Sequence, residues 1–308
     1  MKSAGKIIKT FTIALFVTLL TSDYAYAWGA GIHIMEGSYV LNHLSMILPC
    51  IAESLKAFPY DYLYGCISAD IFIGKGSRRR DDHCHNWSVA MKMLEVADSP
   101  SHFSFAYGYL SHLCADIISH NFYIPNQLYL TTSTKKLGHI YWEYRSDAYI
   151  EKKYWQLANE TISRQNVSND EFMQRFFKSK VISFQTKKKL YVQSIKLYDL
   201  ERWQDMVSFI TRNSRWDLPE SYILHLDTLS LNLIFDFLNH LDNSICLNYD
   251  PVGSDNIRTA KKKRYAIKRA HGEIPTEKAF CIPDEIVNLS KKTYANVSLI
   301  VNPIRDYK

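Results

Sequence analysis

His112, Asp116 and His120 fall four residues apart in GYLSHLCADIISHN, residues 108–121. Four is the spacing that stacks side chains along one face of an α-helix. Imidazole and carboxylate are the oxygen and nitrogen donors that zinc takes most readily from proteins. At about 1.5 Å rise per residue the two histidines lie roughly 12 Å apart, whereas zinc–nitrogen bonds are about 2.0–2.1 Å, so one ion does not take both. The line calls for two ions with Asp116 between them, or else for an amphipathic helix whose histidines are satisfied by hydrogen bonds. His139 and Glu143 repeat the i, i+4 arrangement further along the chain.

Such side chains need helices to hold them, and the sequence supplies little else. Gly37–Leu48 carries apolar residues at three- and four-residue spacing, and Pro49 closes it. Tyr60–Ile73, which contains Asp70, runs into the polar loop GKGSRRRDD, and a helix restarts at His85. Ser99-Pro100 opens the segment that carries His112 to His120, expected to end near Tyr123 and stop at Pro125. The linker TTSTKK leads to a helix over Leu137 to about Leu157, which bears His139 and Glu143. The second half reads as further helices, clearest at Tyr222–Leu241, where His225 and His240 lack companions at ligand spacing. The basic runs Lys187–Lys189 and Lys261–Arg269 read as solvated faces, with contact to phosphate or a membrane as the alternative. The expected fold class is all-α, with residues 28–158 as a metal-binding helical core. Residues 159–308 form a C-terminal helical region that covers this core or belongs to the same domain.

With 308 residues, 47% hydrophobic and 22% charged, the chain is long enough to bury a substantial core and too apolar for default disorder. Residues 1–27 combine Lys2, Lys6 and Lys9, the apolar run TFTIALFVTLL and the small-residue site Ala25-Tyr26-Ala27, the pattern of a secretory signal peptide. Cleavage after Ala27 is expected to send the product to the periplasm or the medium with Trp28 first. The formal charge is +6; Lys2, Lys6, Lys9 and Asp23 account for +2 of it, so the rest carries +4. That mild excess suits anionic phosphate esters or lipid surfaces without marking a nucleic-acid binder. Cys50, Cys66, Cys84, Cys114, Cys246 and Cys281 could make up to three disulfides in an exported chain, or serve as reduced core residues.

Taken together, WGAGIH from Trp28 to His33, SAD ending at Asp70, HNW at His85, HLCADIISH, and HIYWE from His139 to Glu143 closely resemble the bacterial zinc-dependent phospholipase C family. That family shares a helical superfamily with the zinc-dependent single-strand nucleases. The resemblance implies a multi-helix fold around three zinc ions. One would be held by Asp70, His85, His112 and Asp116, and a second by His120, His139 and Glu143. The third would take His33, bridging Asp116, and the amine and carbonyl of Trp28. An α-amine binds metal only when free and deprotonated, so Trp28 becomes a ligand only once Ala27 is cut away. His83 competes with His85 for one position, and the HNW context favours His85. Only three residues separate Asp116 from His120 where the best-known secreted phospholipases and nucleases have five, so a local change of helix geometry is expected there.

The activity implied is phosphodiester cleavage, most directly a phospholipase C that leaves diacylglycerol and a phosphorylated headgroup. Zinc lowers the pKa of bound water toward about 7 and supplies hydroxide for attack on phosphorus. Asp70 is the candidate to orient or deprotonate that water. The substrate partner would be a phospholipid or membrane surface, and no protein partner is implied. Trp87, Tyr107, Tyr109 and Phe122 lie close enough in sequence to wall an apolar cleft. The alternatives are a zinc nuclease or 3′-nucleotidase, which would bring nucleic acid as substrate, and a non-enzymatic secreted protein with a structural zinc cluster. The opening WGAGIH and the tryptophan of HIYWE also resemble the nuclease branch, which usually has Asp where this chain has Glu143.

Overall fold

The computed structural model describes residues 28–72, 83–131, 135–177, 182–198 and 201–292, and among these there are fourteen α-helices and no strand. The first six are α1 (Ala30–Asn42), α2 (Pro49–Ala57), α3 (Pro59–Ser68), α4 (Trp87–Glu95), α5 (Pro100–Ile118) and α6 (Ile124–Leu130). Then come α7 (Lys135–Asp147), α8 (Lys152–Ser163), α9 (Val167–Gln174), α10 (Phe184–Tyr198) and α11 (Glu201–Arg212). The last are α12 (Glu220–His240), α13 (Ser254–His271) and α14 (Asp284–Lys292). The reading of residues 1–27 as a signal sequence, and the loop after Ile73, lie outside the described residues.

Local chemistry starts most of the N-terminal helices. Pro49, Pro59 and Pro100 occupy first-turn positions, where the missing N–H costs nothing. The Asn86 side chain accepts from Ser88 N–H at the head of α4, and Ser99 accepts from His102 N–H at the head of α5. Pro49 therefore opens α2 and does not close the preceding helix, as the sequence had suggested. That preceding helix, α1, runs from Ala30 to Asn42 and takes in Gly31 and Gly37, whose weak helix propensity hides its start.

Helix α5 is the centre of the molecule. Phe105, Ala106, Tyr109, Leu110, Leu113, Ala115 and Ile117 are all fully buried, so apolar contact surrounds it as expected of a core helix. Helices α3, α4 and α12 pack along it. It crosses α3 where Gly65 faces Gly108, and a Cβ on either would lie 2.1 Å from the Phe105 carbonyl oxygen or 2.0 Å from that of Tyr62. This backbone approach brings the end of α3, and Asp70 just beyond it, level with His112.

Beyond Ile118 the helix does not stop. Residues Ser119–Tyr123 form one π-helical turn, and α6 follows at once with Pro125 in its first turn. The π turn takes up the shortened spacing between Asp116 and His120 by opening the helix locally, as π-bulges do at functional sites. The expected single helix over Leu137–Leu157 is likewise two, α7 and α8, with a turn at Ala148–Glu151 between them.

The C-terminal half packs onto this core: α12 lies against α5 and α1, and α13 against α6. The basic runs are not uniformly solvated. Lys188 pairs with Asp170 at 2.7 Å, Lys187 is buried, and Arg264 donates to the Tyr129 carbonyl. All six cysteines are free, and Cys66, Cys84, Cys114 and Cys246 are buried core residues. No helix of the described residues is long and apolar enough to cross a membrane.

Candidate metal centre

Asp116 sits at the middle of a buried nest of imidazoles. Its Oδ2 lies 3.0 Å from His85 Nε2, 3.3 Å from His112 Nε2 and 3.8 Å from His120 Nδ1, and its Oδ1 lies 3.5 Å from His33 Nε2. Asp70 Oδ1 completes one group at 3.5 Å from His85 Nε2 and 3.9 Å from His112 Nε2, while those two nitrogens are 2.9 Å apart. Tetrahedral zinc with bonds of about 2.0–2.1 Å sets its ligand atoms about 3.3 Å apart. The five distances among Asp70, His85, His112 and Asp116 fall on either side of that value, and Asp70, His85 and His112 together form one group of donors close enough for a single ion.

The backbone fixes which nitrogen of each imidazole faces inward. His112 Nδ1–H donates to the Cys66 carbonyl at 2.8 Å, and His120 Nδ1–H donates to the Pro251 carbonyl at 2.6 Å. Each bond leaves the Nε2 lone pair for a metal, the arrangement that metal-binding histidines ordinarily have. His120 Nε2 is buried with no hydrogen-bond partner. His139 Nε2 and Glu143 Oε1 are 3.1 Å apart on α7, and the His139 ring lies 5.9 Å from that of His120. Thus the π turn and α7 set the His120 ring beside the His139–Glu143 pair, a looser arrangement than the donor groups around His112.

The third group centres on His33, one turn into α1. Its ring stacks on His112 at 3.9 Å between centroids, and its Nδ1 lies 3.7 Å from Glu36 Oε2. Neither His33 nitrogen, neither Asp116 oxygen and neither Glu36 oxygen has a hydrogen-bond partner. Buried polar atoms left this way are costly, and a cation among them removes the cost. Trp28 is fully buried just before α1, stacked on Tyr123 at 5.2 Å, with its indole N–H donating to Ser230 at 3.3 Å.

Electrostatics agree with a metal site. Burial, then the neighbouring His112, pushes His33 down to about 4. Burial likewise pushes His120 down to about 4, against the pull of Asp116. Both are therefore neutral imidazoles at neutral pH, the form that ligates. Burial pushes Asp116 up, but His112 and His120 outweigh it and hold the carboxyl well below its ordinary range.

Of the competing pair, His85 reaches Asp70, His112 and Asp116, while His83 Nδ1 accepts the backbone N–H of His85 at 3.1 Å and supports its turn. Tyr109 is a strut here and not a cleft wall: it is fully buried and its hydroxyl donates to the Cys84 carbonyl. Trp87 stacks on Phe237 and donates to the Tyr249 carbonyl.

Several participants have weak sequence signals or none. Glu36 follows His33 by three residues and could have been found by that spacing. Pro251 and Gly253 lie far from His120 in sequence, and Asp147 and Asp227 carry no motif. Burial pushes the carboxyls of Glu36, Asp147 and Asp227 well up, with Asp227, Glu143 and Asp147 respectively adding to the effect as neighbouring charges.

An all-helical body that sets the imidazoles of His33, His85, His112 and His120 around Asp116, with Asp70 beside them, offers nitrogen and oxygen donors of the kind that hold zinc. The model of the family described as zinc dependent phospholipase C matches residues 32–191, just over half of the chain, and the protein belongs to that family. The match includes His33, Asp70, His85, His112, Asp116, His120, His139 and Glu143, and it begins after Trp28. No curated protein and no solved structure matches the chain.

Proposed function

We propose that this protein is an exported zinc-dependent phospholipase C that cleaves phospholipids to diacylglycerol and a phosphorylated headgroup. The observation that carries the reading is the close, buried packing of Asp70, His85, His112 and Asp116 at zinc-ligand distances in a member of this family. Asp70, His85, His112 and Asp116 would hold one zinc, His120, His139 and Glu143 a second, and His33 with Asp116 and Trp28 a third. When bound, zinc supplies a Lewis acid for the phosphoryl oxygens and makes water acidic enough to react at neutral pH.

The protein's own groups do the rest. Asp70, buried beside His85 and His112, would accept the proton of the attacking water and orient it. Three protein ligands in the second group leave room for substrate or solvent, which favours catalysis over a purely structural site. Trp28 contributes its amine only after cleavage behind Ala27, so export and activation are one event.

The test uses protein beginning at Trp28 and loaded with zinc. Headgroup release from mixed-micelle phosphatidylcholine is compared with nucleotide release from single-stranded nucleic acid, each with and without chelator. Chelator-sensitive headgroup release supports the phospholipase, whereas nucleotide release alone moves the chain to nuclease chemistry at the same metals. If neither substrate turns over while zinc stays bound, the site is a structural one. Retaining one residue before Trp28 is expected to lower both zinc content and turnover.

A further inference from the structure

A cavity of about 590 Å³ opens between the end of α6, the segment that leads into α12 and the chain after α13. None of its lining residues is a predicted zinc ligand, and no step proposed above uses it. Its walls include Leu130, Leu218, Ile274 and the rings of Trp216 and Tyr222, so most of what a guest would touch is carbon. The volume falls within the range of small-molecule sites, about 300–1,000 Å³.

Cations gather around this apolar space. Lys278 lines it with Nζ 3.7 Å from the centre of the Tyr222 ring, and the Arg215 guanidinium lies 4.6 Å from the centre of the Trp216 ring. Arg145 donates to the Trp216 carbonyl at 3.0 Å, and Arg264 donates at 2.9 Å to the carbonyl of Tyr129, next to Leu130. Arg145 and Arg264 are buried, and neither they nor Lys278 pairs with a carboxylate among the described residues. Asp217 is the one acid in the lining. Positive charge taken out of water without a counter-ion is costly, and an anion bound close by lowers that cost.

The same contacts narrow the kind of guest. Each of the two aromatic rings already carries a cation on a face, which disfavours a quaternary ammonium. A nucleotide needs partners for its base edge, yet the Thr131 hydroxyl is committed, donating to the Gln127 carbonyl and accepting the Trp142 indole N–H. A hydrocarbon chain asks only for the carbon walls, and a negative head asks for Lys278.

We propose that this cavity binds a long-chain carboxylate, with the chain among Leu130, Leu218 and Ile274 and the head against Lys278. Arg145, Arg215 and Arg264 supply a positive field that outweighs Asp217. Arg264 belongs to the basic run of α13, which thereby gains a task beyond solvation. The inference needs neither zinc nor turnover, so it stands or falls apart from the phospholipase reading.

The experiment titrates zinc-loaded protein with dodecanoate below its micelle concentration, by isothermal calorimetry. Acetate, dodecyltrimethylammonium and adenosine monophosphate are the probes for the head alone, for a cation on the same chain and for a nucleotide. One dodecanoate per chain is expected, bound more tightly than any of the three. Lys278→Ala should weaken it about tenfold, the worth of a hydrogen bond to a charged group. Ile274→Asp, which sets a negative charge among the carbon walls, should weaken it at least as much. Both positions are exposed, so the urea midpoint should match the parent's. No binding of dodecanoate, or parental affinity in either variant, would overturn the proposal. Equal or tighter binding of acetate, the ammonium or the nucleotide would overturn it as well.

Discussion

His120 Nδ1 donates to the Pro251 carbonyl oxygen over 2.6 Å, across 131 residues of sequence. The bond sets the imidazole tautomer and ties the C-terminal half to the centre. The surrounding loop is built for it: Asn121 Nδ2 donates to the Asp250 carbonyl at 2.8 Å, and Asn256 Nδ2 donates to the Asn121 carbonyl at 3.2 Å. Gly253, at φ +57°, closes the loop against His120, where a Cβ would lie 2.3 Å from the His120 carbonyl oxygen.

Gly253→Ala should therefore damage the second zinc group more than the first. The left-handed backbone costs an alanine about 1–2 kcal/mol, and the clash pushes the loop off His120. Affinity for the zinc held by His120, His139 and Glu143 is expected to fall about 10–100-fold, read by competition with a chromogenic chelator. Equal affinity in variant and parent would show that the Pro251 bond does not orient the ligand.

Among the candidate ligands, His112, Asp116 and His120, and His139 with Glu143, stand out by helical spacing and the others only by the family resemblance, while the all-α class was legible from the helical periodicity. Boundaries were less so. Pro49 and Pro125 look like stops, yet each sits in a first turn, where its missing N–H is harmless, and Pro125 follows a π turn that no pattern announces. The supports of the site were not legible at all. Pro251, Gly253 and Asp227 act through tertiary contact, and Asp147 through its fit against Gly29, whose need for a bare Cα appears only in three dimensions.

Asp116→Asn is expected to be the most damaging conservative change. The carboxylate faces His33, His85, His112 and His120, so in the proposed three-zinc arrangement its charge would serve more than one ion. Total bound zinc should drop by more than one ion per chain and turnover by at least about 100-fold, beyond an outer-shell effect. Glu143→Gln, which touches one group, should cost one ion. Metal analysis after gel filtration distinguishes the two, and loss of a single ion in Asp116→Asn would refute the bridging role.

The metal-free protein should reveal His120 through pH. Its folded value of about 4 lies below its ordinary 6.5, so the unfolded chain takes up a proton first as pH falls. The stability at stake is fully present above about 6.5 and is lost down to about 4. Relative to His120→Gln in chelator, the parent should lose about 2 kcal/mol between pH 7.5 and 5, measured by urea unfolding. A difference that stays flat across that range would mean the imidazole is not buried neutral.

Asp227 carries the opposite sign. Its carboxylate is buried with no hydrogen-bond partner, and burial, then Asp147, raises its pKa, so the folded chain holds a proton that the unfolded chain releases. For a raised carboxyl the stability is present below the unfolded value and lost as pH rises. Metal-free Asp227→Asn should therefore gain on the parent as pH rises above about 4, by up to about 1.4 kcal/mol per pH unit while one proton separates the two states. Urea unfolding in chelator from pH 4 to 8 reads the gap directly. Zinc should narrow it, because positive ions at His33 and Asp116 favour the charged carboxylate and compensate its burial. A gap that is equally wide with zinc bound would place Asp227 outside the field of the metal centre and confine its role to packing between α12 and α1.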